Sequence, residues 1–243
     1  MEVAIGIGIG IAIAIDSEGG RGKHDPDSDP DSDFFPVEMF TIQFSMIRGP
    51  NPMNPKPWKV VSSHKDKSYR VFSLRTDRAI SPRTQKEHSF FILESTSWVN
   101  IIPLTSDGRV VMVRQYRHGV GEVTLEIPGG LVEEGDTPET AGLRELVEET
   151  GYTAPRVIPL GYVQPNPAIQ NNRCYTFVAE DVRLTREQSQ DEKEDIEVIL
   201  MPLSDIPKAI RTGEISHALV LAAFYRFYME YQPNPFVHKA VRK

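Results

Sequence analysis

One cysteine, Cys174, occurs in the whole chain, so an internal disulfide is excluded and a reducing, cytoplasmic setting is expected. It follows a polar run and opens an apolar stretch, which predicts a buried thiol rather than a nucleophile. Excess positive charge is also missing. Residues 1–38 carry nine acids and two bases, which account for the whole net charge of −7, so residues 39–243 are neutral in sum. Nucleic-acid binding through bulk charge is not suggested. No apolar run is long enough to span a membrane. The best candidate, residues 3–15, is too short to cross a hydrocarbon core of about 30 Å as a helix. It has no basic flank and no clear cleavage site follows it, so a secretory signal is poorly supported.

The early chain is repetitive. Residues 3–15 alternate Ile with Gly or Ala, and residues 25–33 repeat Asp, Pro and Ser. Neither pattern builds a core. Residues 1–56 are therefore expected to be a low-complexity tail, with a true start near Met39, Met46 or Met53. Folded sequence is expected over 57–243.

Alternating, β-branched or aromatic runs predict strands near 58–62, 68–75, 87–94 and 97–103. Further strands are expected at 109–116, after the Asp107-Gly108 turn, and near 124–127, 156–163, 173–179 and 196–202. Short helices are expected over 204–212 and from a Ser216 cap to about Tyr231. This mixture does not suggest a parallel βαβ series. It suggests an α+β sandwich with a helix packed on the sheet.

The densest chemistry lies in residues 130–152. Thr137 is a good N-cap, Pro138 fits the first helical position and Gly151 fits the C-terminal cap. Within that helix Glu145, Glu148 and Glu149 stand at i, i+3 and i+4. Relative to Glu145, the other two fall about 60° to one side and about 40° to the other on a helical wheel. Leu143, Leu146 and Val147 point the opposite way, so one face can bury while the other gathers charge. Such faces are ordinarily solvated. Here the crowding, the preceding Gly129-Gly130 turn and Arg144, four residues before Glu148, favour a divalent cation. Hard oxygen donors at this density suit Mg²⁺, with Mn²⁺ as the alternative.

The stretch resembles the Nudix box, G-x5-E-x7-R-E-U-x-E-E-x-G-U, with Asp136 in place of the first glutamate. The resemblance extends over roughly residues 58–230 and points to the ADP-ribose pyrophosphatase branch. It implies an α/β/α sandwich with a mixed β-sheet and an N-terminal β extension over about 57–100. It also implies metal ligation by Glu145 and Glu149, with Glu148 assisting or bridging a second ion and Gly129 lending its carbonyl. Arg144 would orient the glutamates. Glu192 and Glu194 resemble the loop acids that position water in this branch. For either one, a solvated charge run is an equal reading.

Arg114 and Arg117 lie in a stretch resembling the V-R-Q-Y/F-R strand of the branch. Alternation puts them on opposite faces, and the resemblance favours Arg117 toward substrate. Pro167 matches the proline fifteen residues past the box that marks the subgroup. Glu126 is a candidate supporting acid. Trp58 and Trp98 are read as core, and His118 and His217 as structural or exposed. The implied reaction is hydrolysis of a nucleoside diphosphate derivative, ADP-ribose first and other nucleoside diphosphate sugars next, by a homodimer. A reading from a different class is a catalytically weak nucleotide-sugar sensor.

Overall fold

The computed structural model describes residues 54–190 and 193–231. Residues 1–53 of the expected tail, the alternative start sites and Glu192 lie outside the described residues. Twelve strands and three α-helices follow one another in the described chain.

The N-terminal strands β1 (Lys59–Ser68), β2 (Ser73–Ile80) and β3 (Glu87–Glu94) form an antiparallel sheet of order β1-β2-β3. The strand expected at 68–75 is displaced: residues 69–72 are the turn between β1 and β2, closed by the Tyr69 N–H donating to the Phe72 carbonyl at 2.7 Å, and the strand proper starts at Ser73. Tyr69 and Phe72 pack their rings on each other, centroids 4.8 Å apart. The apolar pair Val71-Phe72 imitated a strand interior, but its partner there is the neighbouring aromatic ring. Every residue of β1 is exposed. Trp58 is 43% exposed and leans edge-on against Phe90, which corrects the expectation that it is core.

The central layer holds two sheets. Strands β4 (Trp98–Pro103), β5 (Arg109–Arg117), β6 (Glu122–Glu126) and β7 (Gly129–Leu131) come first in the chain. Then follow β8 (Tyr152–Thr153), β9 (Arg156–Val163), β10 (Cys174–Glu180), β11 (Arg183–Leu184) and β12 (Ile196–Pro202). One sheet has the order β7-β4-β10-β9 and is mixed, because β4 and β10 run parallel while the other pairs are antiparallel. The other has the order β12-β5-β6 and is antiparallel. β8 and β11 form a small separate pair.

Side chains alternate across these strands. Val99, Ile101, Val111, Phe177 and Ala179 face α1 (Pro138–Thr150) and meet its Ala141 and Leu146. Ile102, Met112 and Val178 face the other way, onto α2 (Ile206–Thr212) and α3 (Ala218–Glu230). Helices thus cover both faces, as the α/β/α expectation requires. Each large side chain fully buried here, such as Leu146 or Phe224, stabilises the fold by about 1.5–3 kcal/mol. Among the described residues no helix is long and apolar enough to cross a membrane.

Candidate active site

Local sequence fixes both ends of α1. The Thr137 hydroxyl accepts from the Thr140 N–H at 3.1 Å, and the Thr140 hydroxyl accepts from the Thr137 N–H at 2.9 Å. Pro138 occupies the first turn. Gly151 ends the helix at φ 74°, where a side chain would run into the Arg186 carbonyl.

The charged face of α1 is not simply solvated. Glu145 is 9% exposed and Glu149 is 3% exposed, on the same arc as buried Ala141. They are roofed by the Gly129-Gly130 turn that enters β7. A Cβ on Gly130 would collide with the Glu145 carboxylate, and one on Gly129 with the Val99 carbonyl. Glycine here permits the strand to lie directly on the acids. The Gly129 N–H donates to Glu149 Oε2 at 3.1 Å.

Arg144 gathers the remaining members. Its guanidinium reaches Glu148 and Glu145 at 3.0 Å each, the Leu131 carbonyl at 3.1 Å and Asp136 at 3.4 Å. Asp136, though one methylene shorter than Glu, still meets the arginine, at the long end of the range. Glu148 is the more exposed acid and turns toward Arg144.

Burial raises the Glu145 pKa to about 7; Arg144 opposes the rise and Glu148 adds to it. Burial likewise holds Glu149 well above the usual carboxylate range, reinforced by the charge of Glu145 and offset in part by the Gly129 N–H. The Glu194 charge acts on Glu145, Glu149 and Arg117, so the structure brings this loop acid to the cluster.

This donor set fits a divalent cation. Two buried carboxylates lie together, the charge of Glu145 raising Glu149, and Arg144 and Arg117 compensate only in part, the situation a cation relieves. Among the described residues no three His, Cys, Asp or Glu side chains are grouped so that they could hold a metal ion by themselves.

A cavity of about 710 Å³ opens beside this turn, bordered by Gly129, Gly130, Trp98, Arg117, Glu126 and His217. Trp98, Leu131 and Cys174 meet at one level of the mixed sheet, where Trp98 pairs with both of the others. Cys174 is buried as expected, and burial pushes its thiol up to about 12.

Also in the lining, Glu126, 2% exposed, receives Arg117 through two bonds, Nε at 2.7 Å and Nη2 at 2.6 Å. Thr124 donates to it at 2.6 Å, and His217 Nδ1 lies 3.3 Å away. Burial pushes the Glu126 carboxyl up, but Arg117, His217 and Thr124 outweigh it and hold the group well below the usual range.

The structure separates the other candidates from this cluster. Arg114 lies across β5 from Arg117 and pairs with Glu214 at 3.3 Å and Glu197 at 3.8 Å. Pro167 sits exposed beside a turn in which the Asn166 carbonyl accepts from Ile169 and Gln170. That loop attaches to β3, where the Leu93 N–H donates to the Ile169 carbonyl at 2.7 Å. Neither residue borders the cavity. His217 does, although the sequence suggested no role for it. Nothing local marks it, because its partner Glu126 lies on a distant strand.

Fold and site together present an acidic helix face beneath a glycine turn, at the edge of a cavity. Residues 95–224 match the family model of the NUDIX domain, and the chain belongs to that family as a Nudix pyrophosphohydrolase. An ADP-ribose pyrophosphatase of Bacillus subtilis (strain 168) is 33% identical over 128 residues, which cover 52% of this chain and 69% of that protein. A methanol dehydrogenase activator of Bacillus methanolicus is 28% identical over 158 residues, covering 65% and 85%. A crystal structure of an ADP compounds hydrolase superposes with a TM-score of 0.65 at 19% identity, covering 73% of this chain and 95% of that one. The fold is therefore shared.

Proposed function

We propose that the protein hydrolyses the pyrophosphate bond of a nucleoside diphosphate derivative with Mg²⁺, converting ADP-ribose to AMP and ribose 5-phosphate. Other nucleoside diphosphate sugars are the close alternative substrates. The observation that carries this reading is the buried pair Glu145 and Glu149 beneath Gly129-Gly130, at the edge of the cavity. The activity named for the Bacillus subtilis relative supports ADP-ribose as the first choice.

In this reading Glu145 and Glu149 hold the cation, with Glu148 and the Gly129 carbonyl assisting. The cation, once bound, neutralises charge developing on the phosphoryl oxygens and acidifies water. Arg144 keeps Glu148 in place. Glu194 or Glu192 orients the attacking water and takes its proton. The water oxygen bonds to phosphorus, the bridging P–O bond breaks and the leaving phosphate carries away the electron pair. Arg117 spends two donors on Glu126 and presents its remaining N–H groups to the diphosphate. Pro167 stiffens a loop at a distance from the reacting atoms, and Arg114 contributes to the surface of β5.

The exposed β1–β3 sheet is assigned to a homodimer interface, and the single buried thiol fits a cytoplasmic protein. The test is a panel of nucleotide sugars with Mg²⁺, read as released phosphomonoester. Glu149→Gln should lower turnover by at least about a hundredfold with the circular dichroism spectrum retained. Undiminished turnover in that variant would overturn the assignment.

A further inference from the structure

His217 stands at the N-cap of α3 without making a side-chain cap, so its ring is not committed to the helix. Its backbone is fixed, since the His217 carbonyl accepts from Leu221 at 3.0 Å. The ring has two unlike ends. Nδ1 is buried and faces Glu126 Oε2 at 3.3 Å, off the line of a well-aligned hydrogen bond. An ionised carboxylate only accepts, so the proton belongs on Nδ1 whatever the charge of the ring. The side chain as a whole is 40% exposed and borders the cavity, so with Nδ1 buried its exposure lies on the rest of the ring. Glu126 therefore orients the imidazole, and the free nitrogen opens into the substrate space.

The charges around that space decide what Nε2 meets. Arg117 is bound to Glu126 through two bonds, and Glu122 adds a further acid to the lining. The remainder of this wall includes Val120, Ile127 and Leu219. Such a wall disfavours a further phosphate and accepts a neutral, hydroxylated group, whose O–H can either donate or accept.

We infer that His217 is a substrate-binding residue whose Nε2 hydrogen-bonds a hydroxyl of the sugar beyond the diphosphate. The inference rests on the pyrophosphatase reading above and adds a specificity determinant to it. A site that hydrogen-bonds a substrate hydroxyl discriminates against analogues lacking it.

The test compares ADP-ribose with the β-methyl ester of ADP, which keeps the diphosphate and has no distal hydroxyl. AMP release is measured for wild type, His217→Ala, His217→Asn and His217→Gln, with thermal melts as a check on folding. Asn places an N–H near the position of Nδ1 and so preserves the Glu126 contact without the pocket nitrogen; Gln extends an amide toward the position of Nε2. In the Ala and Asn variants the ratio of kcat/KM for ADP-ribose to that for the methyl ester should fall about tenfold, mainly through KM. The Gln variant should recover part of that ratio. An Asn variant with the wild-type ratio, or an equal loss on both compounds, would show that His217 serves only to support Glu126 and would overturn the inference. If wild type hydrolyses neither compound, the pyrophosphatase reading itself fails, and the sugar contact falls with it.

Discussion

Glu145 and Glu126 are both buried, yet their environments push them in opposite directions. For Glu145 the folded-state pKa is raised to about 7, above its ordinary value of 4.5. The folded state then binds more protons than the unfolded state between those two values. The stabilising contribution is present below about 4.5 and is lost as pH rises through about 7. Glu126, held low, contributes stability above its ordinary pKa that is lost only in acid. The metal-free protein should therefore melt at lower temperature at pH 8 than at pH 5.5. Glu145→Gln should flatten that slope and raise metal-free stability at pH 8 by on the order of 2 kcal/mol. Thermal melts in chelator across pH measure both effects, and a slope unchanged by the substitution would contradict the burial argument. The carboxylates were legible from sequence because they lie within one turn of one another. Their burial was not, since it depends on Gly129-Gly130 folding back over them from a separate strand. His217 was illegible for the same reason.

At the scale of elements, α1 was the most readable segment because its signals are local: Thr137, Pro138 and Gly151 all act within a residue or two of an end. The start of α3 was misplaced by one residue. Ser216 has the chemistry of a cap, but the structure puts His217 in that position. The β1–β2 boundary also differed, because aromatic contact in a turn imitates a strand pattern. The β7–α1 contact carries its own prediction. Gly130→Ala sets a methyl group against the flexible end of Glu145, which can swing aside, whereas Gly129→Ala sets it against the backbone of Val99. The first should lower kcat at least tenfold with a melting temperature near wild type. The second should reduce stability by about 1–3 kcal/mol. Paired activity and melting measurements separate them, and equal melting losses would contradict the close-approach argument.

Over the whole molecule, the mixture of strands and helices was legible as an α+β sandwich, while the second helical layer was implied only by the Nudix resemblance, with which the membership of residues 95–224 in the NUDIX family accords. Strand order was not legible, because β4 and β10 are parallel neighbours separated by much of the chain. The least self-sufficient part is the β1–β3 sheet, whose Val60, Val61, Phe90 and Phe91 remain exposed. An apolar sheet of this kind is normally covered. Sedimentation at micromolar concentration should give twice the chain mass, and Phe91→Asp should shift it toward the single chain. A wild-type protein that sediments as one chain at all concentrations would remove the dimer proposal.

α1 is clamped between the mixed sheet and its own caps, and it carries the acids on the same turns that fill the core. Its amide protons should exchange with deuterium only when the entire domain opens, long after those of β1 have been replaced. Heat inactivation would then coincide with loss of the fold, since the acidic helix has no separate way to melt.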